Sequence, residues 1–234
     1  MQKLFTLLRK GDIDELKRLI SERPELINSI SGPKPKKDHG QSLLQVALKT
    51  GRFEIANYLI ETGINVNFIE EEDDDPGLRA PVLFDAITAT IDSLCVGMYC
   101  ASEEIKSKFE DSDIALDLLK KMVQSGADVN KTTSNGFNAV NWSLHHAALI
   151  MGRRRVYPYS QEKVREQLRA VLDCLFNNGF DYDAWINHGY YPEPSPGPSI
   201  RELFMEKSEY MESGNEEYKQ TRLFLQDYFN KVKV

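Results

Sequence analysis

Apolar residues recur at helical spacing in four separate segments of the chain. The segments are residues 14–21, 53–60, 114–123 and 164–176, and in each of them apolar positions lie three or four residues apart. In the last segment Leu168, Val171, Leu172 and Leu175 fall on one face of a helix. Polar residues fill the positions between them, so the pattern predicts four amphipathic helices, each with one buried face.

A similar short sequence follows each of these helices. ETGINVN at residues 61–67, QSGADVN at 124–130 and NNGFDYD at 177–183 align without gaps, and ERPELIN at 22–28 is a degenerate copy. The shared glycine is typical of the residue that follows the end of a helix in the left-handed conformation. The chain is therefore predicted to consist of internal repeats, each ending in a short polar finger.

A shorter predicted helix precedes the amphipathic one. In SLLQVALKTG at residues 42–51, Ser42 is the predicted N-cap, Ala47 is small where two helices approach closely, and Gly51 turns the chain. Residues 40–67 resemble one ankyrin repeat, whose pattern T-P-L-H-x-A opens the first of two helices. Less closely, the resemblance extends over nearly the whole chain.

This resemblance implies an all-α fold, an ankyrin-type helix-turn-helix solenoid with short finger loops in a single domain of residues 1–234. The approximate repeats are 1–30, 38–67, 78–130, 133–183 and 196–234. The intervals between Gly63, Gly126 and Gly179 exceed one ankyrin period of about 33 residues and fall short of two. We therefore expect insertions near residues 93–112 and 152–162. Such insertions form surface loops in repeat arrays, and these either contact a partner or are neutral.

Charge and cysteine content restrict the kind of partner and compartment. The 234 residues carry a net charge of −7, which disfavours nucleic acid and anionic membranes and favours a protein with a basic surface. Three cysteines, an odd number, indicate a reducing compartment. With no apolar segment of membrane-spanning length, we expect a cytoplasmic monomer, with non-classical export as an effector left open.

Candidate chemical motifs give no catalytic, metal or cofactor prediction. None of the four histidines lies in a zinc-protease motif, and no phosphate-binding loop occurs. Cys95 and Cys100 lack zinc-ligand spacing and are interpreted as small apolar residues packing a helix, while Cys174 is assigned to the core. The acidic run at residues 70–75 is interpreted as a solvated loop that also attracts a basic partner. The three arginines at residues 153–155 are a solvated loop or a contact with a partner's carboxylates.

The ankyrin resemblance implies a partner surface made of finger tips and the exposed face of each first helix. Phe137 is either an aromatic anchor or packs on the next finger, and adjacent histidines at exposed helix positions suggest pH-sensitive binding. Arg9 and Lys10 are the corresponding positions of the first repeat. The predicted partner-binding residues are Asp38, His39, Gln41, Lys49, Thr50, Thr88, Ser134, Asn135, Phe137, His145, His146, Tyr190 and Tyr191.

These features favour a protein-protein interaction module without catalysis. Two more specific hypotheses stay open: an immunity or antitoxin-like inhibitor of a basic toxin, and a bacterial effector that hijacks a host protein. A third, of a different class, is an enzyme whose site lies in the insertions.

Overall fold

Eight α-helices follow one another in the described residues up to 184, and they are arranged in pairs. The computed structural model describes residues 2–34, 38–70, 78–151 and 157–184 and a few separate residues beyond them, namely Ser199, Leu223, Phe224, Asp227, Tyr228 and Lys231. A 3₁₀-helix, Pro24–Asn28, follows the second α-helix. The α-helices are α1 Gln2–Lys10, α2 Ile13–Glu22, α3 Leu43–Lys49, α4 Phe53–Glu61, α5 Val82–Asp92, α6 Ser102–Gln124, α7 Ala139–Met151 and α8 Pro158–Phe176.

The helices form two layers. The first helix of each pair packs on the next first helix, in the order α1, α3, α5 and α7, and the second helices α4, α6 and α8 pack on one another behind them. Each pair also packs internally, α1 with α2, α3 with α4, α5 with α6 and α7 with α8. The prediction of an all-α, ankyrin-like helix-turn-helix array is confirmed by this arrangement.

Glycine ends the second helix of three successive repeats. Gly63, Gly126 and Gly179 have φ angles of 88°, 90° and 84°, a region that residues with a Cβ seldom adopt. This conformation lets the next amide reach back into the helix, so that Ile64 N donates to Leu59 O at 3.1 Å. The predicted role of these glycines is correct.

The start of α3 is also as predicted. The Ser42 hydroxyl accepts a hydrogen bond from Gln45 N at 3.2 Å, and the Gln45 side chain accepts one from Ser42 N at 3.0 Å. This reciprocal pair is a capping box, which satisfies two amides that the first turn leaves without partners. Ala47 has no exposed surface, as expected where two helices approach closely.

One core runs through the described array. Leu8 of α1, Leu44 of α3, Ile87 of α5 and Leu168 of α8 are all fully buried within it. Because each repeat buries its apolar faces against the neighbouring repeats, the repeats stabilise one another.

Part of each insertion belongs to the second-helix layer, namely residues 102–112 in α6 and 158–162 in α8, while residues 152–156 lie outside the described residues. α6 has 23 residues and α8 has 19. In the loop between α5 and α6, Val96 is buried, and its carbonyl accepts a hydrogen bond from Tyr157 N at 2.8 Å. Asp113 of α6 forms an ion pair with Lys163 of α8 at 2.8 Å. Residues 93–101 thus form a loop, as expected of an insertion, whereas residues 102–112 belong to helix α6 and are mostly exposed.

The interpretation of the cysteines is correct for Cys174 and wrong for Cys95 and Cys100. Cys174 is buried in α8, and burial raises the pKa of its thiol, which keeps the sulfur protonated. Cys95 and Cys100 lie in the loop between α5 and α6, where Cys95 is exposed and Cys100 is partly buried. They do not pack a helix, which corrects the sequence interpretation.

Beyond residue 184, described residues pack on α8. Phe224 and Tyr228 are buried, and the Tyr228 hydroxyl donates to Asp173 at 2.5 Å. Arg169 lies over the Phe224 ring at 5.4 Å. Several predictions lie outside the described residues, namely Tyr190 and Tyr191, the arginines at 153–155, the acidic residues 71–75 and most of the proposed repeat at 196–234.

In the part of the chain that the structure describes, none of the helices combines the length and the apolar character needed to cross a membrane.

Candidate functional site

The outward surface of α1, α3, α5 and α7, together with the adjoining fingers, is called the first-helix face here. It carries most of the described residues that sequence analysis singled out, and it is continuous because α3, α5 and α7 lie side by side. Polar and aromatic contacts join each of these helices to the next.

At the start of this face, two predicted residues are turned inward. Asp38 is 4% exposed, and its carboxylate accepts a hydrogen bond from Arg9 Nε at 2.7 Å. Gln41 is also buried, and its backbone carbonyl accepts a hydrogen bond from Ser31 N at 2.8 Å. Asp38 thus joins the finger to α1 and Gln41 is bonded within the finger, which corrects the prediction that they are presented at its tip. His39, between them, is exposed.

A carboxylate pair, Glu70 and Asp85, lies between α3 and α5. The Gln45 amide donates to Glu70 Oε1 at 2.8 Å, and Glu70 Oε2 accepts from Ala80 N at 3.2 Å. Lys49 Nζ lies 3.5 Å from Asp85 Oδ1. Burial raises the pKa of Asp85 to about 7, with Lys49 opposing this shift and Glu70 adding to it.

Sequence analysis did not select Asp85. The signal that could have found it is its setting, a single acidic residue in the apolar first turns of α5, where a carboxylate is costly to bury. Glu70 was noted only as the first member of the acidic run. Lys49, by contrast, is exposed at the end of α3 as predicted. Thr50 follows it and donates its hydroxyl proton to Val46 O at 2.6 Å.

Trp142 organises the contact between α5 and α7. Its indole nitrogen donates to the Thr88 hydroxyl at 2.8 Å. Its ring stacks on Phe84 with centroids 5.5 Å apart, and the Phe137 ring meets it edge-on at 6.3 Å. Phe137 is therefore partly buried against Trp142 of its own repeat. Sequence analysis missed the role of Trp142.

Both histidines of α7 are partly buried. His146 Nδ1 lies 2.7 Å from Asp92 Oδ1, its ring packs on Trp142, and its side chain is only 13% exposed. His145 is partly buried, with its ring 5.6 Å from that of His146. Burial lowers the pKa of His145, and the neighbouring His146 lowers it further. The prediction of two exposed histidines is therefore corrected for both, because each ring packs on neighbouring rings.

The fingers are joined by a ladder of asparagines. The Asn67 amide donates to Gly126 O at 2.7 Å, and its Oδ1 accepts from Asp128 N at 2.7 Å. Asn130 makes the same two contacts one repeat later, with Gly179 O at 2.9 Å and Asp181 N at 2.8 Å. The repeated asparagine at the end of the finger sequence is thus explained by a structural role between repeats.

Ser134 and Asn135 lie at the next finger tip and are exposed. Ser134 N donates to Arg79 O at 2.9 Å, and Ser134 Oγ accepts from Arg79 N at 3.2 Å. The Asn135 side chain accepts a hydrogen bond from the Thr133 hydroxyl. These two fingers are consequently held together by backbone contacts, with the Asn135 side chain at the surface.

Other chemical features of the described residues are few. An open groove of about 330 Å³ lies between the ends of α6 and α8, lined by Lys120, Asp173 and Cys174 among others. No group of three or more histidine, cysteine, aspartate or glutamate side chains with metal-binding geometry occurs in residues whose positions are described.

Among known proteins, the chain shows similarity to solved structures. No protein-family model matches the chain, and no curated protein is significantly similar to it. The chain is similar to the crystal structure of an ankyrin repeat domain from Acinetobacter baumannii AYE, with 13% identity, coverage of 99% of this chain and 97% of that one, and a TM-score of 0.39. The assignment of the architecture rests on the helix pairs and glycine turns described above.

Proposed function

We propose that this chain is a protein-interaction module that binds a specific partner through the first-helix face and the adjoining fingers, without catalysis. The observation that carries the proposal is the continuity of this face across α3, α5 and α7, where Lys49, Thr88 and His145 lie on neighbouring helices. Stacked repeats commonly use such an extended face for binding.

The proposed partner is a protein with a basic surface. A net charge of −7 favours such a partner by long-range attraction. We further propose that the chain acts as a cytoplasmic monomer and that it forms one domain, with a fifth repeat at residues 196–234. An inhibitor of a basic protein is the version of this function that the charge supports.

Affinity capture with face variants tests the proposal. Tagged chain is used to isolate partners from the cell that produces it, and mass spectrometry identifies them. A variant combining Asn135→Ala and His145→Ala is expected to bind the main partner at least roughly tenfold more weakly, because both residues lie on the proposed surface.

The matched control combines Lys120→Ala and Gln124→Ala on α6, in the second-helix layer, where both residues are exposed. It is expected to bind within about twofold of the unmodified chain. Equal losses in the two variants, or a loss in the α6 variant alone, would place binding elsewhere and contradict the proposal.

A further inference from the structure

The carboxylate pair, Glu70 and Asp85, lies near the middle of the first-helix face and is incompletely neutralised. Asp85 is buried, with a side chain that is 9% exposed, and Lys49 Nζ lies 3.5 Å from its Oδ1. Asp85 Oδ2 is buried and accepts no hydrogen bond from the described residues. A buried carboxylate oxygen without a donor is unfavourable, so this position calls for an additional donor.

Two side chains of α3, Gln45 and Lys49, act on Asp85. Gln45 lies between the two carboxylates and lowers the pKa of Asp85 by hydrogen bonding, while its amide nitrogen also donates to Glu70 Oε1 at 2.8 Å and to Ala80 O at 3.4 Å. Lys49 sits at the end of α3 with 42% of its side chain exposed. Because a lysine ammonium on a long flexible stem rearranges easily, Lys49 can move aside when another cation arrives.

We propose that the carboxylate pair is a receiving site for one basic side chain of the partner, with arginine preferred over lysine. A planar guanidinium offers several N–H donors in a fixed fork, so that it can donate to Asp85 Oδ2 and to Glu70 together. This inference rests on the proposed function, and it specifies the chemistry of one contact within that face.

The ionisation of Asp85 agrees with this assignment. Burial raises its pKa to about 7, so a large fraction is protonated at neutral pH. A partner cation would favour the ionised form and lower this pKa, with release of a proton. Binding through this site should therefore tighten as the pH rises from about 6 to about 8. Lys49 and Glu70 are the charged neighbours that act on Asp85.

A random-sequence peptide library displayed on phage provides the probe. Peptides that bind the full chain are selected. Those that no longer bind when Asn135 and His145 are substituted are retained as first-helix-face binders, and each of them is synthesised. Replacing one arginine of such a peptide by citrulline, which has the same shape and no charge, is expected to weaken binding roughly tenfold.

The same peptides are measured on Glu70→Gln and Asp85→Asn chains. The effect of citrulline is expected to shrink to about twofold or less on both variants and to stay near tenfold on Glu54→Gln, a control that removes an exposed carboxylate of α4. The Asp85→Asn chain should also lose the dependence on pH. Circular dichroism establishes that each variant is folded, and Glu70→Gln, at a partly buried position, provides a second test.

The outcomes separate this inference from the proposed function. Peptides that bind the first-helix face without needing a basic residue, or whose citrulline effect is unchanged in both variants, would overturn the receiving site and leave the interaction face intact. Failure to select any peptide sensitive to Asn135 and His145 would overturn both.

Discussion

Asp85 shows how one side chain can link stability to binding. Its carboxylate lies among the apolar residues of α5, where Val82, Leu83 and Phe84 are all buried. The nearby Lys49 does not offset the desolvation, since the pKa of Asp85 stays near 7. A neutral residue of the same shape would remove this penalty, so the aspartate is unfavourable for folding at neutral and alkaline pH.

The first prediction concerns Asp85→Asn. Between the usual aspartate pKa of 3.8 and the folded value of about 7, the folded state binds more protons than the unfolded state. The contribution of Asp85 to stability is therefore fully present at low pH and is lost as the pH rises through this range. The free energy of unfolding of Asp85→Asn minus that of the unmodified chain should increase by about 1–3 kcal/mol from about pH 4 to about pH 8.

Chemical denaturation at several pH values measures this difference. Asp117→Asn, at a carboxylate that is 77% exposed on α6, is the control and should give a difference that changes little with pH. A flat difference for Asp85→Asn would show that this carboxylate titrates normally.

The second prediction concerns His145, whose pKa is lowered by burial and by His146. Its contribution to stability is present above the unfolded histidine pKa of 6.5 and is lost as the pH falls toward the lower folded value. The melting temperature of His145→Gln should therefore decrease less than that of the unmodified chain between about pH 7.5 and about pH 5.5. His39→Gln, at an exposed finger residue, serves as the control and should leave the decrease unchanged.

At the scale of the element, the finger is the unit that transmits stability between repeats. Asn67 and Asn130 each accept one hydrogen bond from the following repeat and donate another to it. Within its own finger, Asp128 Oδ1 accepts from Asn130 N at 2.9 Å, which fixes the turn. Local turn formation and contact between repeats are therefore coupled in the same few residues.

The third prediction follows from this ladder. Asn67→Ala and Asn130→Ala should each reduce the free energy of unfolding by about 1–2 kcal/mol, because each removes two hydrogen bonds that join adjacent repeats at a partly exposed position. Asn177→Ala is the control, since Asn177 is exposed and its side chain makes no hydrogen bond to a described residue. If all three substitutions cost the same, the ladder contributes nothing specific.

At the scale of the whole molecule, the second-helix layer gives the array much of its continuity. The lengthened α6 and α8 pack together, joined by Asp113 with Lys163 and by the contact between Val96 and Tyr157. This packing leaves the first-helix layer as a face that runs across three repeats. The overall charge of −7 acts on any protein that approaches that face.

The fourth prediction is that association with the captured partner depends strongly on salt. The association rate constant should fall roughly tenfold as ionic strength rises from about 0.02 to about 0.5 M, while the dissociation rate changes much less, because screening acts mainly on the approach of opposite charges. Surface plasmon resonance at a series of salt concentrations measures both rates. An association rate that does not change would contradict a basic partner.

The sequence by itself determined the features that depend on neighbouring residues. Helix pairs, the glycine after α4, α6 and α8 and the capping box at Ser42 all follow from side chains within a few positions of one another. The repeated finger sequence likewise located Asn67 and Asn130 without any tertiary information. These features were predicted because their physical causes are local.

Only the tertiary structure decided which side chains are presented and which are used internally. The buried Asp38 accepts a hydrogen bond from Arg9, and the Trp142 indole donates one to Thr88, 54 residues away in sequence. Residues 102–112 of the insertion belong to the long helix α6, and the loop before it is tied to the start of α8 by the hydrogen bond from Tyr157 N to Val96 O. The carboxylate pair exists because a finger residue and a helix residue, Glu70 and Asp85, meet beside Gln45. Such contacts join segments that are distant in sequence, so helical periodicity cannot predict them.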